Sequence, residues 1–256
     1  MPLQAFDEHW FSPKRLKEQE QRERLSVQAG TFQGEGDFGS YYALRMGKND
    51  SWVRVHGLTS PKASTYASIL ARILRKRPID SILDVGCGAG FITNALTVAF
   101  RPRSHCLGID ISEDAIEFAA HTFSYPTIFK CVAVTKDVNL GEQFDLVHCR
   151  EFYPFTRTNE IYIHIDYLHC LLRHVRNGGM LVVSLLATTN SLVPQLPSVH
   201  AHLQGYGYRL HITKHLVPST RIAQVIHEPR IASCLTWLRN RLTGLEPSYF
   251  FVIEQP

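Results

Sequence analysis

A glycine-rich turn between two apolar segments constrains the fold of this chain more than any other feature. The apolar run 81–85 contains Asp84, and Gly86, Gly88 and Gly90 follow it at alternate positions. Because glycine has no Cβ, the backbone can turn sharply there and approach a ligand closely. A helix that starts near residue 90 presents free N–H groups in its first turn. The segment therefore predicts a strand, a ligand-binding loop and a helix in direct succession.

Strand and helix patterns alternate on both sides of this loop, which is typical of an α/β fold. Strands are predicted at 81–85, 105–109, 127–134, 144–149, 180–185, 208–216 and 249–254, and helices at 63–76, 91–100, 113–122, 159–175 and 198–203. We expect Asn177-Gly178-Gly179 to end the helix 159–175. Right-handed crossovers then give a doubly wound, Rossmann-like parallel sheet with helices on both faces.

The two ends of the chain differ from this regular region. Residues 12–24 are almost entirely charged or polar, and the glycine-rich stretch 30–39 precedes Tyr41 and Tyr42. We interpret residues 1–59 as an N-terminal arm and helical cap, although plain packing explains the same aromatics. Residues 60–256 form the main domain, with a helical insert around 218–245. The insert's apolar residues belong either to the core or to a dimer contact, so monomer and homodimer both stay open.

Composition excludes several classes of protein. The net charge of +4 comes from Lys and Arg spread along the chain, which favours ordinary surface charge over a nucleic-acid-binding face. None of the six cysteines has CxxC spacing, which argues against a disulfide framework and a zinc site. No secretory signal and no apolar stretch of about 20 residues is evident, so we expect a cytoplasmic protein without a membrane span.

Two acidic residues suggest what the loop binds. The spacing GxGxG followed by Phe91 departs from the dinucleotide fingerprint GxGxxG. Asp84 suits a positively charged amino group and would repel a pyrophosphate. Asp110 ends the next predicted strand, where an acid can accept hydrogen bonds from both ribose hydroxyls. NAD sites also use such an acid, and a helix N-cap is the structural alternative for Asp110, although Ser112 fits that role better.

The runs ILDVGCGAG, LGIDIS, FDLVHC and LLRHVRNGGMLVVS together resemble the class I S-adenosylmethionine-dependent methyltransferases over roughly residues 60–185. The resemblance implies a seven-stranded sheet closed by an antiparallel last strand. It also implies S-adenosylmethionine as cofactor and S-adenosylhomocysteine as product. The cofactor-binding residues it implies are Asp84, Gly86, Cys87 and Gly88 at the methionine part, Asp110 at the ribose, and Ile111 and Asp137 at the adenine.

The segment after the fourth predicted strand faces cofactor and acceptor in that family. Here it reads Arg150-Glu151-Phe152-Tyr153-Pro154-Phe155, not the Asn-Pro-Pro-aromatic run of enzymes that methylate exocyclic nitrogens. Arg150 is a candidate cofactor ligand, and Glu151 and Tyr153 are candidates for acceptor contact and general base. The remaining candidates are His56 as a weaker base and, in the cap, Tyr42 and Arg45, with Arg45 pairing the cofactor carboxylate.

We therefore predict an enzyme that methylates a small polar metabolite, natural product or glycan, with oxygen as the expected acceptor atom. No metal is expected, because the family's metal-dependent members carry an Asp after the fourth strand and an Asp-Asn pair after the fifth, which this chain lacks. RNA or protein methylation, a non-catalytic scaffold and an NAD-dependent oxidoreductase are the alternatives.

Overall fold

The computed structural model describes residues 60–74, 77–156, 158–186, 192–215 and 248–256, together with residues 231, 234, 235 and 238. The predicted arm and cap at 1–59 lie entirely outside these residues. Most of the predicted insert at 218–245 lies outside them as well. Within the insert, the four described residues are helical and exposed.

Seven strands form one sheet in the order β3-β2-β1-β4-β5-β7-β6. They are β1 (Ile82–Val85), β2 (Cys106–Asp110), β3 (Thr127–Cys131), β4 (Phe144–Arg150), β5 (Val175–Leu185), β6 (Arg209–His215) and β7 (Ser248–Glu254). The first five strands are parallel, and β7 is antiparallel to both of its neighbours. This confirms the predicted Rossmann-like sheet with an antiparallel last strand. Strand order reverses between β1 and β4, and a crevice for ligands opens at such a point.

Helices cover both faces of the sheet. They are α1 (Ser60–Ile73), α2 (Phe91–Phe100), α3 (Glu113–Thr122), α4 (Ile161–Leu172) and α5 (Leu196–Gly205), with a short 3₁₀ turn at Val193–Gln195. Side chains alternate along each strand, so Ile82 packs with α1 and α2 while Leu83 packs with α4 and α5. None of the helices in the described part of the chain has the length and apolarity needed to cross a membrane.

The structure corrects the predicted end of the fourth helix. Helix α4 ends at Leu172, and β5 begins at Val175, so Asn177-Gly178-Gly179 lies inside the strand and does not end the helix. The reason is pairing with β4, in which Phe144 lies opposite Val175 and the register then shifts before the next pair. Gly178 absorbs this irregularity with a φ of 74°. Tertiary pairing has therefore overridden a local helix-stop pattern.

A buried histidine fixes the connection between α4 and β5. Nδ1 of His174 donates to the Cys170 carbonyl at 2.9 Å, and the Leu140 backbone N–H donates to its Nε2 at 3.1 Å. The ring therefore donates through one nitrogen and accepts through the other, which only a neutral imidazole can do. Burial lowers the pKa of His174.

Because this pKa is lower in the folded than in the unfolded chain, acid should destabilise the protein. The free energy of unfolding is expected to fall as pH drops from 7 through about 6.5, where unfolded histidine protonates, toward the folded pKa. Urea titrations between pH 7 and 5 measure this slope. His174→Gln should flatten it by at most about 1.4 kcal/mol per pH unit. His121→Gln, at an exposed histidine on α3, should keep the wild-type slope. Equal slopes in all three proteins would contradict the prediction.

Candidate functional site

The glycine loop lies at the carboxyl end of β1, next to the point where strand order reverses. The N–H groups of Gly86 and Cys87 both donate to the Ile109 carbonyl, at 2.9 and 3.0 Å. Gly86, Gly88 and Gly90 have φ angles of 70°, 52° and 77°, in the left-handed region that side chains disfavour. The three glycines are therefore required by the backbone path of the loop.

Asp110 connects this loop to the end of β2. Its carboxylate is buried, with Oδ2 accepting from the Gly88 N–H at 2.8 Å and Oδ1 from the Ser112 N–H at 3.0 Å. Burial raises the pKa of Asp110, and these backbone donors oppose the rise. A carboxylate has about four lone-pair sites, so Asp110 retains acceptor capacity for ligand hydroxyls. Ser112 caps α3 by accepting from the Ala115 N–H at 3.3 Å, which confirms its predicted role.

Asp84 lies beneath the loop, and the protein already satisfies both of its oxygens. The side chain is 2% exposed. Oδ2 accepts from the Thr93 hydroxyl at 2.6 Å, and Oδ1 accepts from Nδ1 of His148 at 2.7 Å. The His148 ring continues to the Tyr66 hydroxyl at 2.7 Å, and that hydroxyl lies 2.6 Å from Oγ of Ser184. Asp84 thus begins a run of buried polar groups.

Thr93, His148, Tyr66 and Ser184 are not among the site residues predicted from the sequence. One signal for His148 was available. His148 lies four residues after Phe144, the apolar start of β4, and Asp84 lies near the end of β1. Two parallel strands in matching register therefore bring His148 and Asp84 side by side. No sequence signal connects Tyr66 to Ser184 across 118 positions.

Beyond β4 the chain turns sharply, and its side chains close the turn against β5. Glu151 has a φ of 52°, which is uncommon for a residue other than glycine. Its backbone N–H donates to the Ser184 carbonyl at 2.9 Å, and its carboxylate accepts from the Leu186 N–H. The half-buried Arg150 places its guanidinium carbon 4.9 Å from the centroid of the Tyr66 ring, a cation–π contact.

An aromatic cluster follows this turn and reaches the glycine loop. A Cβ placed on Gly86 would lie 3.1 Å from the Phe152 ring. Phe152 in turn contacts Phe155 and Tyr167, with ring centroids 6.5 and 6.2 Å apart. Tyr153 packs edge-on against Tyr167 at 5.4 Å. Burial raises the pKa of Tyr153, so its hydroxyl keeps its proton at neutral pH. The aromatic cluster thus joins the end of β4 to the glycine loop at the end of β1, where the reversal of strand order predicts a ligand crevice.

The other predicted residues are distributed around this crevice. Ile111 is half-buried directly after β2, and Cys87 is half-buried in the loop. Asp137 is exposed, and its charge adds to the rise in the pKa of Tyr167, which is mainly due to burial. His56, Tyr42 and Arg45 lie outside the described residues. Across the part of the chain that is described, no group of three or more His, Cys, Asp or Glu side chains is arranged to hold a metal ion.

Comparison with known proteins identifies the fold and the family. A family model described as a methyltransferase domain matches residues 77–215, more than half of the chain. A crystal structure of the plantazolicin methyltransferase BpumL, with a pentazolic desmethylPZN analog and SAH, covers 96% of this chain and 100% of its own. Its sequence identity is 16% and its TM-score is 0.54, so it supports the fold.

Two curated relatives match parts of the chain. A malonyl-[acyl-carrier protein] O-methyltransferase of Anoxybacillus flavithermus is 32% identical over 97 residues, covering 34% of this chain and 37% of the relative. An uncharacterized 37.1 kDa protein of a Streptomyces fradiae transposon is 29% identical over 164 residues, covering 62% and 44%. The chain thus spans less than half the length of either curated relative.

Close packing beneath the loop predicts a measurable cost for one added methyl group. A Cβ on Gly108 would lie 2.8 Å from the Phe129 ring and 3.0 Å from Sγ of Cys87. Gly108→Ala is therefore expected to lower the free energy of unfolding by about 1–3 kcal/mol, measured in urea. Gly205→Ala is the matched control, since nothing lies within 4 Å of its Cβ position and alanine favours the helix. Equal stabilities of the two variants would show that Gly108 is not tightly packed.

Proposed function

Since the chain belongs to the class I S-adenosylmethionine-dependent methyltransferases, we propose that it methylates an oxygen of a small polar metabolite, natural product or glycan. One arrangement carries this proposal. The glycine loop and the buried Asp110 lie at the strand-order reversal, and they open onto aromatic side chains at the end of β4. A concave site with apolar walls and a few directed polar groups is typical of small-molecule sites.

The described residues fit the cofactor in two respects. Gly86, Gly88 and Gly90 adopt left-handed φ angles that turn the backbone sharply at the end of β1, where the ligand is expected to bind. Asp110 has spare acceptor capacity for hydroxyls beside the loop. We assign Asp84, Gly86, Cys87 and Gly88 to the methionine part, Asp110 to the ribose, and Ile111 and Asp137 to the adenine.

The positive charge of Arg150 can pair with a negatively charged group of the cofactor. Within the described residues its guanidinium forms no ion pair, and its side-chain contact is the Tyr66 ring. Half-buried cations are stabilised by an anionic partner. We assign Arg150 to the cofactor carboxylate. Arg45 and Tyr42, which lie outside the described residues, remain predicted members of the same wall.

For methyl transfer, the protein mainly has to position the cofactor and the acceptor and to exclude water. When bound, S-adenosylmethionine supplies a methyl group on a positively charged sulfonium. The aromatic cluster around Phe152 excludes water from the adjoining crevice. Of the two described candidates for general base, Tyr153 keeps its proton at neutral pH and suits orientation of the acceptor hydroxyl. Glu151 is then the candidate proton acceptor, and its contact with the Leu186 N–H fixes its position.

The relatives' names support an acceptor of this class. The plantazolicin enzyme was crystallised with analogs of desmethylPZN, which supports a natural-product acceptor. The malonyl-[acyl-carrier protein] enzymes are named O-methyltransferases, which supports oxygen as the acceptor atom.

Binding of S-adenosylhomocysteine, measured by calorimetry, tests the cofactor assignment. Asp110→Ala removes the carboxylate proposed to hold the ribose, so its Kd should rise by about 100-fold, the size of two charge-assisted hydrogen bonds. Asp166→Ala, at an exposed acid on α4, is the matched control and should bind like wild type. The assignment fails if wild type shows no heat of binding, or if both variants bind equally well.

Transfer of a carbon-13 methyl group tests the acceptor class. Wild type, supplied with labelled S-adenosylmethionine and extracts of small metabolites, should give a labelled low-mass product with the chemical shift of an O-methyl carbon. An N-methyl shift would move the acceptor atom to nitrogen. Label that appears only in material destroyed by ribonuclease or protease would overturn the small-molecule acceptor.

A further inference from the structure

We propose that His148 and Tyr66 are positioning residues for the cofactor loop, a role that rests on the proposed function. They belong to a run of four side chains, Asp84, His148, Tyr66 and Ser184, which we call the buried chain. Through it, the carboxylate beneath the glycine loop is held by helix α1 and by the ends of β4 and β5.

Burial makes the buried chain a fixed structure. All four side chains are 2% exposed or less. The contacts are short: 2.7 Å from Asp84 to His148, 2.7 Å from His148 to Tyr66, and 2.6 Å from Tyr66 to Ser184. In a water-excluded interior such hydrogen bonds strengthen, and an unpaired member is costly. Each link therefore constrains the next.

The hydrogen bonds of the buried chain run in one direction. The Asp84 carboxylate can only accept, so Nδ1 of His148 carries a proton and donates to it. With a neutral ring, Nε2 of His148 accepts from the Tyr66 hydroxyl, which in turn accepts from Ser184. Burial raises the pKa of Tyr66, so the phenol keeps the proton that it donates. In this arrangement each of the hydrogen-bonding groups His148, Tyr66 and Ser184 has a partner for its proton.

Tyr66 connects the loop to the acceptor side of the crevice. Its hydroxyl belongs to the buried chain, while the centroid of its ring lies 4.9 Å from the guanidinium carbon of Arg150. The Tyr66 ring also stacks on Phe250, with the two ring centroids 5.7 Å apart. One side chain of α1 thus sets the position of Asp84 through His148 and the position of Arg150 directly. Both charged groups belong to the proposed site for the amino-acid part of the cofactor.

The position of these charges makes the proposal specific to one end of the ligand. Asp84 and Arg150 are assigned to the methionine part, whereas Asp110 is assigned to the ribose and is tied separately to Gly88 and Ser112. Loosening the buried chain should therefore weaken the hold on the amino acid but not on the adenosine.

Two probes separate the ends of the ligand in a calorimetric experiment. S-adenosylhomocysteine carries the amino-acid part, and 5′-methylthioadenosine has the same adenosine without it. Tyr66→Phe removes only the hydroxyl and keeps the ring beneath Arg150. We expect its Kd for S-adenosylhomocysteine to rise roughly tenfold, the size of one net hydrogen bond. Its Kd for 5′-methylthioadenosine should change less than about twofold. Tyr206→Phe, at an exposed tyrosine, is the matched control and should bind both as wild type does.

Two further variants test whether the hydrogen bonds of the buried chain act together. Ser184→Ala removes the hydroxyl at the end of the buried chain farthest from Asp84. Its Kd for S-adenosylhomocysteine should rise by roughly threefold, whereas its Kd for 5′-methylthioadenosine should stay nearly unchanged. His148→Asn keeps an N–H donor toward Asp84 but loses the link to Tyr66. Its effect should be similar to that of Tyr66→Phe, and the double variant should be no weaker than either single variant. Circular dichroism confirms that each protein is folded at the assay temperature.

The outcomes distinguish failure of the positioning role of His148 and Tyr66 from failure of the proposed function. If wild type binds S-adenosylhomocysteine and Tyr66→Phe binds it equally well, His148 and Tyr66 are not positioning residues. Equal weakening of both probes would show a general structural role and would also overturn the proposal. Additive losses in the double variant would show that the two side chains act separately. If wild type binds neither probe, the proposed function itself fails.

Discussion

The parallel register of the three central strands is the constraint on which the site depends. Asp84 lies opposite Gly108 on β2 and opposite His148 on β4, so the three residues form one row across the sheet. Register partners direct their side chains to the same face, which brings His148 to the Asp84 carboxylate. On the other side, the absent side chain of Gly108 leaves room for Phe129 and Cys87. A shift of one residue in either pairing would turn these side chains to the opposite face and dismantle the site.

Two buried carboxylates at the carboxyl edge of this sheet require compensation. Burial of an ionised group is costly unless hydrogen bonds satisfy it. Asp110 is satisfied by backbone N–H groups, which belong to the loop and to the start of α3. Asp84 is satisfied by side chains, from α2 and β4. The loop conformation and the two acids are therefore interdependent, since the loop supplies a donor for one acid and covers the other.

The sequence was informative where local signals and tertiary structure agree. Helices α2 and α3 have the predicted bounds because apolar spacing and the Ser112 cap define them locally. Asp84 and Asp110 could be predicted as candidate site residues because each belongs to a short, contiguous motif. The helix end predicted at Asn177-Gly178-Gly179 was wrong because pairing of Val175 with Phe144 outweighed a local stop pattern. The partnership of Tyr66 with Ser184 could not be predicted, because it depends on how a helix docks on a sheet.

The roles of the residues after β4 were harder to predict from the sequence than those of the glycine loop. No short motif constrains residue type in this segment. Phe152 is the residue at which this segment contacts the glycine loop, since its ring lies 3.1 Å from the position of a Cβ on Gly86. Gly86 therefore satisfies two demands, a left-handed backbone and an aromatic neighbour. Glycine at position 86 is therefore constrained by backbone conformation and by packing, whereas Phe152 is constrained by its packing against Gly86, Phe155 and Tyr167.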